Sequence, residues 1–258
     1  MKRLLHKHIL ITGASAGLGR ELALAFAGEG AAALSLVARH GETLRSLSQE
    51  ISNRAPETKV VWIEADVSKQ KDVERCVATT LEAFGGRIDV LVNNASSIGP
   101  SPMPFLLDYP LEDFQKVINT NLVGPFLVIR NALPSMIENG GSIINVTSDA
   151  GVVGYPGWGA YGISKFGLEG MSQTWAAELE GTSVRVNLVD PGDMNTAMHR
   201  AAEPEEDPEQ WADPATVTGV FIFLASDESE HIHGKRLEAQ ENWQESITAE
   251  TDNTIKTV

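Results

Sequence analysis

The sequence predicts an α/β fold, a doubly wound parallel sheet of about seven strands with helices on both faces, in a single domain. Three observations carry that expectation. Short β-branched and aliphatic runs alternate with longer stretches of helical periodicity, the pattern of repeated βαβ units. Several short runs, such as Leu91-Val92 and Ile143-Ile144, are continuously apolar, as strands covered on both faces must be. A glycine-rich turn, Gly13 to Gly19, follows the first run and opens a helix whose apolar residues recur at Leu18, Leu22 and Phe26.

Taken in order, the strands are expected at His8 to Ile11, Leu34 to Ala38, Val60 to Glu64, Val90 to Asn93, Ser142 to Val146, Val184 to Val189 and Lys235 to Glu238. Helices between them begin near Gly17, Glu42, Lys69, Leu111, Ala160 and Pro214. The 258 residues exceed the common ~100 to 150-residue domain but stay within reach of one α/β core, so residues 1–241 are assigned to one domain. Two stretches break the pattern. Ala201 to Asp213 carries Glu203, Glu205, Glu206, Asp207, Glu209 and Asp213 with two prolines and no basic residue, and reads as an exposed insert. Residues 242–258 are mostly polar and read as a loosely ordered tail.

Composition narrows the function classes. A hydrophobic fraction of 42% with 21% charged residues is that of a globular protein, not of a disordered chain. The net charge of -15 repels phosphate backbones and anionic surfaces, so neither nucleic acid nor membrane is expected as a partner. The single cysteine, Cys76, has no internal disulfide partner and sits in a helical run as a buried, inert thiol. The apolar stretch Ile9 to Ile11 stops at Thr12-Gly13, short of the ~7 apolar residues of a signal-peptide core, and no run approaches the ~18 to 20 that span a bilayer. A cytoplasmic location follows. His231-Ile232-His233 lacks the further ligands of a zinc site, and no metal is expected.

Chemistry begins at the glycine turn, Thr12-Gly13-Ala14-Ser15-Ala16-Gly17-Leu18-Gly19. Glycines let the backbone turn sharply and approach a pyrophosphate, whose charge the free N–H groups and positive end of the following helix stabilise. Further on, Tyr161-Gly162-Ile163-Ser164-Lys165 puts a phenol and an ammonium one turn apart on one helix face. A tyrosine of pKa ~10 is a poor acid or base at neutral pH, and a close cation favours its ionised form. Upstream, the strand Ser142 to Val146 ends in Thr147-Ser148, which sets a hydroxyl at a carboxyl end, where open α/β sheets bind ligands.

Together these residues resemble the short-chain dehydrogenase/reductase family over about residues 7–240, in its short, single-domain, Rossmann-like branch. The glycine turn, Asn93-Asn94-Ala95, Asn121, Ser148, Tyr161, Lys165 and Pro191-Gly192 stand in the family's order. The resemblance implies a carbonyl/alcohol oxidoreductase in which Ser148 bonds the substrate oxygen, Tyr161 moves the proton, Lys165 bonds the nicotinamide ribose, and Asn121 holds a relay water through a local helix distortion. It implies cofactor contacts from Gly13, Ser15, Gly17, Leu18, Gly19, Arg39, Asp66, Val67, Asn93, Ala95, Tyr161, Lys165, Pro191, Gly192 and Thr196, and a homodimer or homotetramer. The sequence departs from the family at Ser96, where a glycine is usual, and in the terminal strand, where an acid and two glycines are replaced by Gly234-Lys235-Arg236-Leu237-Glu238-Ala239-Gln240.

Cofactor choice rests on the end of the second strand. An acid there bonds a free ribose 2′-hydroxyl and repels a 2′-phosphate, whereas arginine pairs with the phosphate. The chain has Ala38 and then Arg39, so NADP(H) is expected over NAD(H). The small-molecule substrate is expected under a lid of about residues 193–213, with Trp158, Tyr155, Met194 and Met198 as walls. Asp149 and Asp193 beside it favour a neutral or cationic carbonyl compound, if they do more than cap backbone.

Overall fold

The computed structural model describes residues 2–245. In chain order the strands are β1 (His8–Thr12), β2 (Ala33–Ala38), β3 (Lys59–Glu64), β4 (Val90–Asn93), β5 (Gly141–Val146), β6 (Val184–Asp190) and β7 (Arg236–Glu238). The helices are α1 (Gly17–Gly28), α2 (Gly41–Arg54), α3 (Gln70–Ala83), α4 (Leu111–Ile118), α5 (Gly124–Asn139), α6 (Gly159–Glu178), α7 (Ala197–Ala202) and α8 (Gly219–Ala225). All seven strands pair in parallel, in the order β3-β2-β1-β4-β5-β6-β7. The chain winds outward from β1 to β3, then returns to β4 on the other side of β1. That reversal opens a crevice at the carboxyl ends of β1 and β4.

The two-residue period of a strand sends alternate side chains to opposite faces, and both faces are filled. Ile9 and Ile11 pack with Leu22 and Phe26 of α1 and with Phe221 and Leu224 of α8. Leu10, between them, joins Val73 and Val77 of α3 and Val128 and Ala132 of α5. Each fully buried side chain of this size contributes ~1.5 to 3 kcal/mol, which is why the predicted strands read as unbroken apolar runs. Cys76 lies in the second layer, and burial pushes its thiol up to about 11. Among the described residues no helix is long and apolar enough to cross a membrane.

Three details refine the sequence expectation, the first of them the helix distortion expected at Asn121. The helix beginning at Leu111 is interrupted by a π-helical turn, Asn119–Val123, before continuing as α5. Pro125 has no N–H to give the carbonyl four residues back, so the regular ladder fails at Asn121, and the Gly124 N–H reaches back to the Asn119 carbonyl instead. The acidic insert is exposed at its carboxylates but anchored by Trp211, a buried indole edge-on to His199 at 4.3 Å. Its return strand is tied by the Asn195 N–H to the Ala212 carbonyl at 2.8 Å. Trp243, at the start of the expected tail, packs on Phe223 with ring centroids 5.1 Å apart, while residues 246–258 of that tail lie outside the described residues.

Candidate active site

A cavity of about 330 Å³ opens at the carboxyl ends of the central strands. Its first wall is the turn from β1 into α1. Gly13 has φ +69°, and a Cβ there would stand 2.8 Å from the Ala95 Cα; at Gly19 it would stand 2.3 Å from the Gly13 carbonyl oxygen. Only glycine lets the turn lie this close to the β4 exit. Asn94 staples the two together, its amide donating to the Thr12 and Gly13 carbonyls at 3.0 and 3.1 Å. No side chain caps α1, and its first turn carries no acid, so its N-terminal N–H groups face the cavity without a side-chain acceptor.

The end of β2 brings Ala38 and Arg39 to the rim, beside Asp66 and Val67 from the β3 exit. Arg39 is exposed and makes no hydrogen bond or ion pair among the described residues. Although burial works against it, hydrogen bonds from the Ser68 hydroxyl and amide, with the charges of Lys69 and Arg39, hold the Asp66 carboxyl below its usual range.

The opposite wall comes from β5, α6 and the β6 exit. Tyr161 and Lys165 lie on the inward stripe of α6 together with Leu168, Ser172 and Ala176, so the pair is buried, not a solvated helix face. Lys165 Nζ donates to the Val146 carbonyl at 2.8 Å and stands 5.4 Å from the centroid of the Tyr161 ring. Ser148 lies just beyond the end of β5, and its hydroxyl donates to Asp149 Oδ1 at 2.9 Å. Trp158 packs edge-on to Tyr161 at 5.5 Å. Pro191, Gly192, Asp193, Met194, Thr196 and Met198 complete the wall, with Gln240 Nε2 clamping the Pro191 and Asp193 carbonyls at 3.0 and 2.8 Å.

Burial dominates the electrostatics. It lifts the Tyr161 phenol well above its ordinary value against a hydrogen bond with Ser148, and the charges of Asp190 and Asp149 add to the rise. Burial lowers the Lys165 ammonium to about 8, opposed by the charges of Asp190 and Glu169. The expectation that Lys165 depresses the Tyr161 pKa is therefore not met in this arrangement. Desolvation of a phenolate outweighs an ammonium that lies over the ring face and is itself tied to a backbone carbonyl.

Of the candidate residues, four do not line the cavity. Gly19 lies beneath the turn it permits. Asn93 is buried, donating to Asn145 Oδ1 at 2.9 Å, and its neighbours Asn94 and Ala95 take the lining positions. Tyr155 is an exposed side chain hydrogen-bonded to Asp149, not a pocket wall. Asn121 sits in the π-helical turn, accepting from the Ser97 N–H at 2.8 Å and donating to the Ser97 carbonyl at 2.8 Å and Ser164 Oγ at 2.9 Å. His233 has both ring nitrogens on backbone partners, Val186 at 3.2 Å and Ala176 at 2.8 Å. Sequence reasoning missed Asp190, Ile98 and His199, which line the cavity. An acid closing the expected strand Val184 to Val189, just before Pro191-Gly192, was the available signal for Asp190.

Comparison with known proteins decides the family. The profile described as short chain dehydrogenase matches residues 7–207. The chain belongs to the short-chain dehydrogenase family. It is 39% identical over 243 residues to a 3-oxoacyl-[acyl-carrier-protein] reductase FabG of Thermotoga maritima, covering 90% of this chain and 96% of the relative. It is 36% identical over 241 residues to a 2-(R)-hydroxypropyl-CoM dehydrogenase of Xanthobacter autotrophicus, covering 88% and 94%. A solved short-chain dehydrogenase of Shigella flexneri, complexed with NADP, superposes with a TM-score of 0.86 at 30% identity, covering 93% of this chain and all (100%) of that one. The protein is an oxidoreductase of this family.

Proposed function

We propose that this short-chain dehydrogenase interconverts a carbonyl and a primary or secondary alcohol with NADP(H), using Tyr161 as the general acid and base. The observation that carries the reading is the convergence of Ser148, Tyr161 and Lys165 in one cavity with the glycine turn and Pro191-Gly192. The residues fit a dinucleotide: an uncapped helix start, a turn with no room for a Cβ, and at the β2 exit an arginine that makes no hydrogen bond or ion pair among the described residues. They would be Gly13, Ser15, Gly17, Leu18, Arg39, Asp66, Val67, Ala95, Lys165, Pro191, Gly192 and Thr196. When bound, the nicotinamide gives or takes the hydride at the substrate carbon. A complex with NADP in a relative supports the choice of cofactor.

In reduction, Ser148 turns its hydroxyl from Asp149 to the carbonyl oxygen, and Tyr161 gives that oxygen its proton as negative charge develops there. Burial holds the proton on the phenol until that moment. Lys165 supplies the positive charge that offsets the phenolate left behind. Asn121 holds the π-helical turn beneath the site, with its own carbonyl released from the helical ladder to steady a relay water.

Asp149 and Asp193 at the mouth, with apolar walls from Trp158, Met194 and Met198, favour a neutral or cationic carbonyl compound under a lid of residues 193–213. Exposed apolar residues on α4, α5 and α6, namely Leu111, Phe126, Ile163 and Phe166, support a homodimer or homotetramer. A lone buried thiol suits the cytoplasm. The experiment is oxidation of NADPH and of NADH with matched neutral, cationic and carboxylate-bearing ketones and aldehydes. Turnover should be best with a neutral or cationic compound; best kcat/KM with keto acids would refute the charge argument, and no turnover with any would refute the enzyme.

A further inference from the structure

Behind Lys165 lies a set of charges that the family motif does not contain. Arg236 of β7 reaches into the sheet, where its Nη2 donates to Asp190 Oδ2 at 2.7 Å, its Nε to Glu169 Oε1 at 3.2 Å and its Nη1 to Glu238 Oε1 at 2.5 Å. Asp190 and Glu169 are both buried, and each is held by a further neutral donor, the Gly192 N–H at 2.9 Å and the Thr147 hydroxyl at 2.7 Å. Glu169 stands one turn beyond Lys165 on the inward side of α6, and Asp190 ends β6 at the cavity wall. Buried charges are costly unless balanced, and here Arg236 pairs with two buried carboxylates, Asp190 and Glu169, and with the more exposed Glu238, while Lys165 lies within the field of the first two.

We infer that Arg236 is a positioning residue for the reaction, holding Asp190 and Glu169 and supplying positive charge that offsets them, so that Lys165 is not their sole counter-ion and remains available to Tyr161. The inference rests on the functional reading above and extends it to β7, where the sequence departs from the family's usual pattern. The groups facing the pair come from four directions: Glu169 from α6, Ser148 and Asp149 from the β5 exit, Asp190 and the exposed Asp193 from the β6 exit, and Arg236 with Glu238 from β7. Asp190 acts on both Tyr161 and Lys165, raising each. Removing Arg236 leaves its negative field less opposed, so both groups hold their protons to higher pH.

The test is the pH dependence of kcat/KM for carbonyl reduction, whose falling limb reports Lys165 losing its charge. In Arg236→Met the midpoint should move up by about one pH unit. Asp190→Asn should move it down, the double variant should return it towards wild type, and Arg236→Lys, which keeps the charge, should leave it near wild type even where kcat falls. Melting temperature and NADP(H) affinity show whether each variant is folded. A purely structural arginine lowers stability and rate without moving any midpoint, and that outcome in a folded Arg236→Met overturns the inference. If Arg236→Met does not fold, an unmoved midpoint in Asp190→Asn overturns it instead. An inactive wild type would sink the functional reading and this inference with it, whereas an active wild type with unmoved midpoints sinks this one alone.

Discussion

Lys165 lies against the face of Tyr161, its Nζ 5.4 Å from the ring centroid, while one of its three N–H groups donates to the Val146 carbonyl. The ring is fixed by edge-on packing with Trp158, so replacing the phenol by phenyl leaves the packing intact and removes only the acid. Tyr161→Phe should lower kcat by at least ~100-fold, the low end for a positioned acid, with NADPH affinity little changed. Steady-state kinetics with a fluorescence titration of NADPH check both parts. Near-normal turnover would remove Tyr161 from the mechanism.

Burial of Lys165 predicts opposite pH trends for activity and stability. Its ammonium, lowered from 10.5 to about 8, loses charge through that pH in the folded protein but not in the unfolded chain. The unfolded state then binds more protons between those two values, so the contribution of Lys165 to stability rises from pH 8 towards 10.5. Reduction should fall over the same interval, because the charge opposing the nascent phenolate is lost. Chemical denaturation across this range in wild type and Lys165→Met should show the rise only in wild type. Identical slopes would mean that the lysine is not buried as a cation.

The parallel sheet was legible because burial on both faces writes itself as short apolar runs such as Leu91-Val92 and Ile143-Ile144. Ser148, Tyr161 and Lys165 were legible because spacing on one helix and one strand end is local information. Asp190, Glu169 and Arg236 were not, since they stand on three elements and meet only when β6 and β7 pair. The same holds for Trp211, whose flanking acids read as solvent-exposed while the indole itself finds His199 across the insert. The depressed Tyr161 pKa inferred from a nearby lysine failed for another reason. Sequence spacing gives proximity of charges but not the desolvation that opposes them.

Two contacts tie the middle of the proposed lid, residues 193–213, to its surroundings. Ser101 Oγ donates to the Ala201 carbonyl at 2.6 Å, joining the loop after β4 to α7, and Trp211 packs under His199. Trp211→Ala removes a buried indole from a segment with little other apolar support, and should raise KM for the carbonyl on the order of tenfold while NADPH affinity changes little. Limited proteolysis should cut the variant first within residues 201–213. Unchanged KM and unchanged cleavage would show that Trp211 does not hold the lid.

Cofactor choice turns on Arg39 and Ala38 at the β2 exit. An acid at the end of this strand would repel a ribose 2′-phosphate; Ala38 leaves that position neutral, and Arg39 stands at the cavity rim with no hydrogen bond or ion pair among the described residues. Asp66, which Arg39 helps to keep ionised, is already occupied by Ser68. The guanidinium is thus available for two parallel donors to a phosphate, while Ser15 in the glycine turn adds at most a hydroxyl. Arg39→Ala should lose ~1.5 to 3 kcal/mol with NADPH, about ten- to a hundredfold in kcat/KM, and change little with NADH. The salt dependence should agree: the advantage of NADPH over NADH should shrink as ionic strength rises in wild type and stay flat in the variant, since an exposed ion pair is screened. Equal losses with both cofactors, or a wild-type preference for NADH, would assign Arg39 to the solvated surface and reverse the choice.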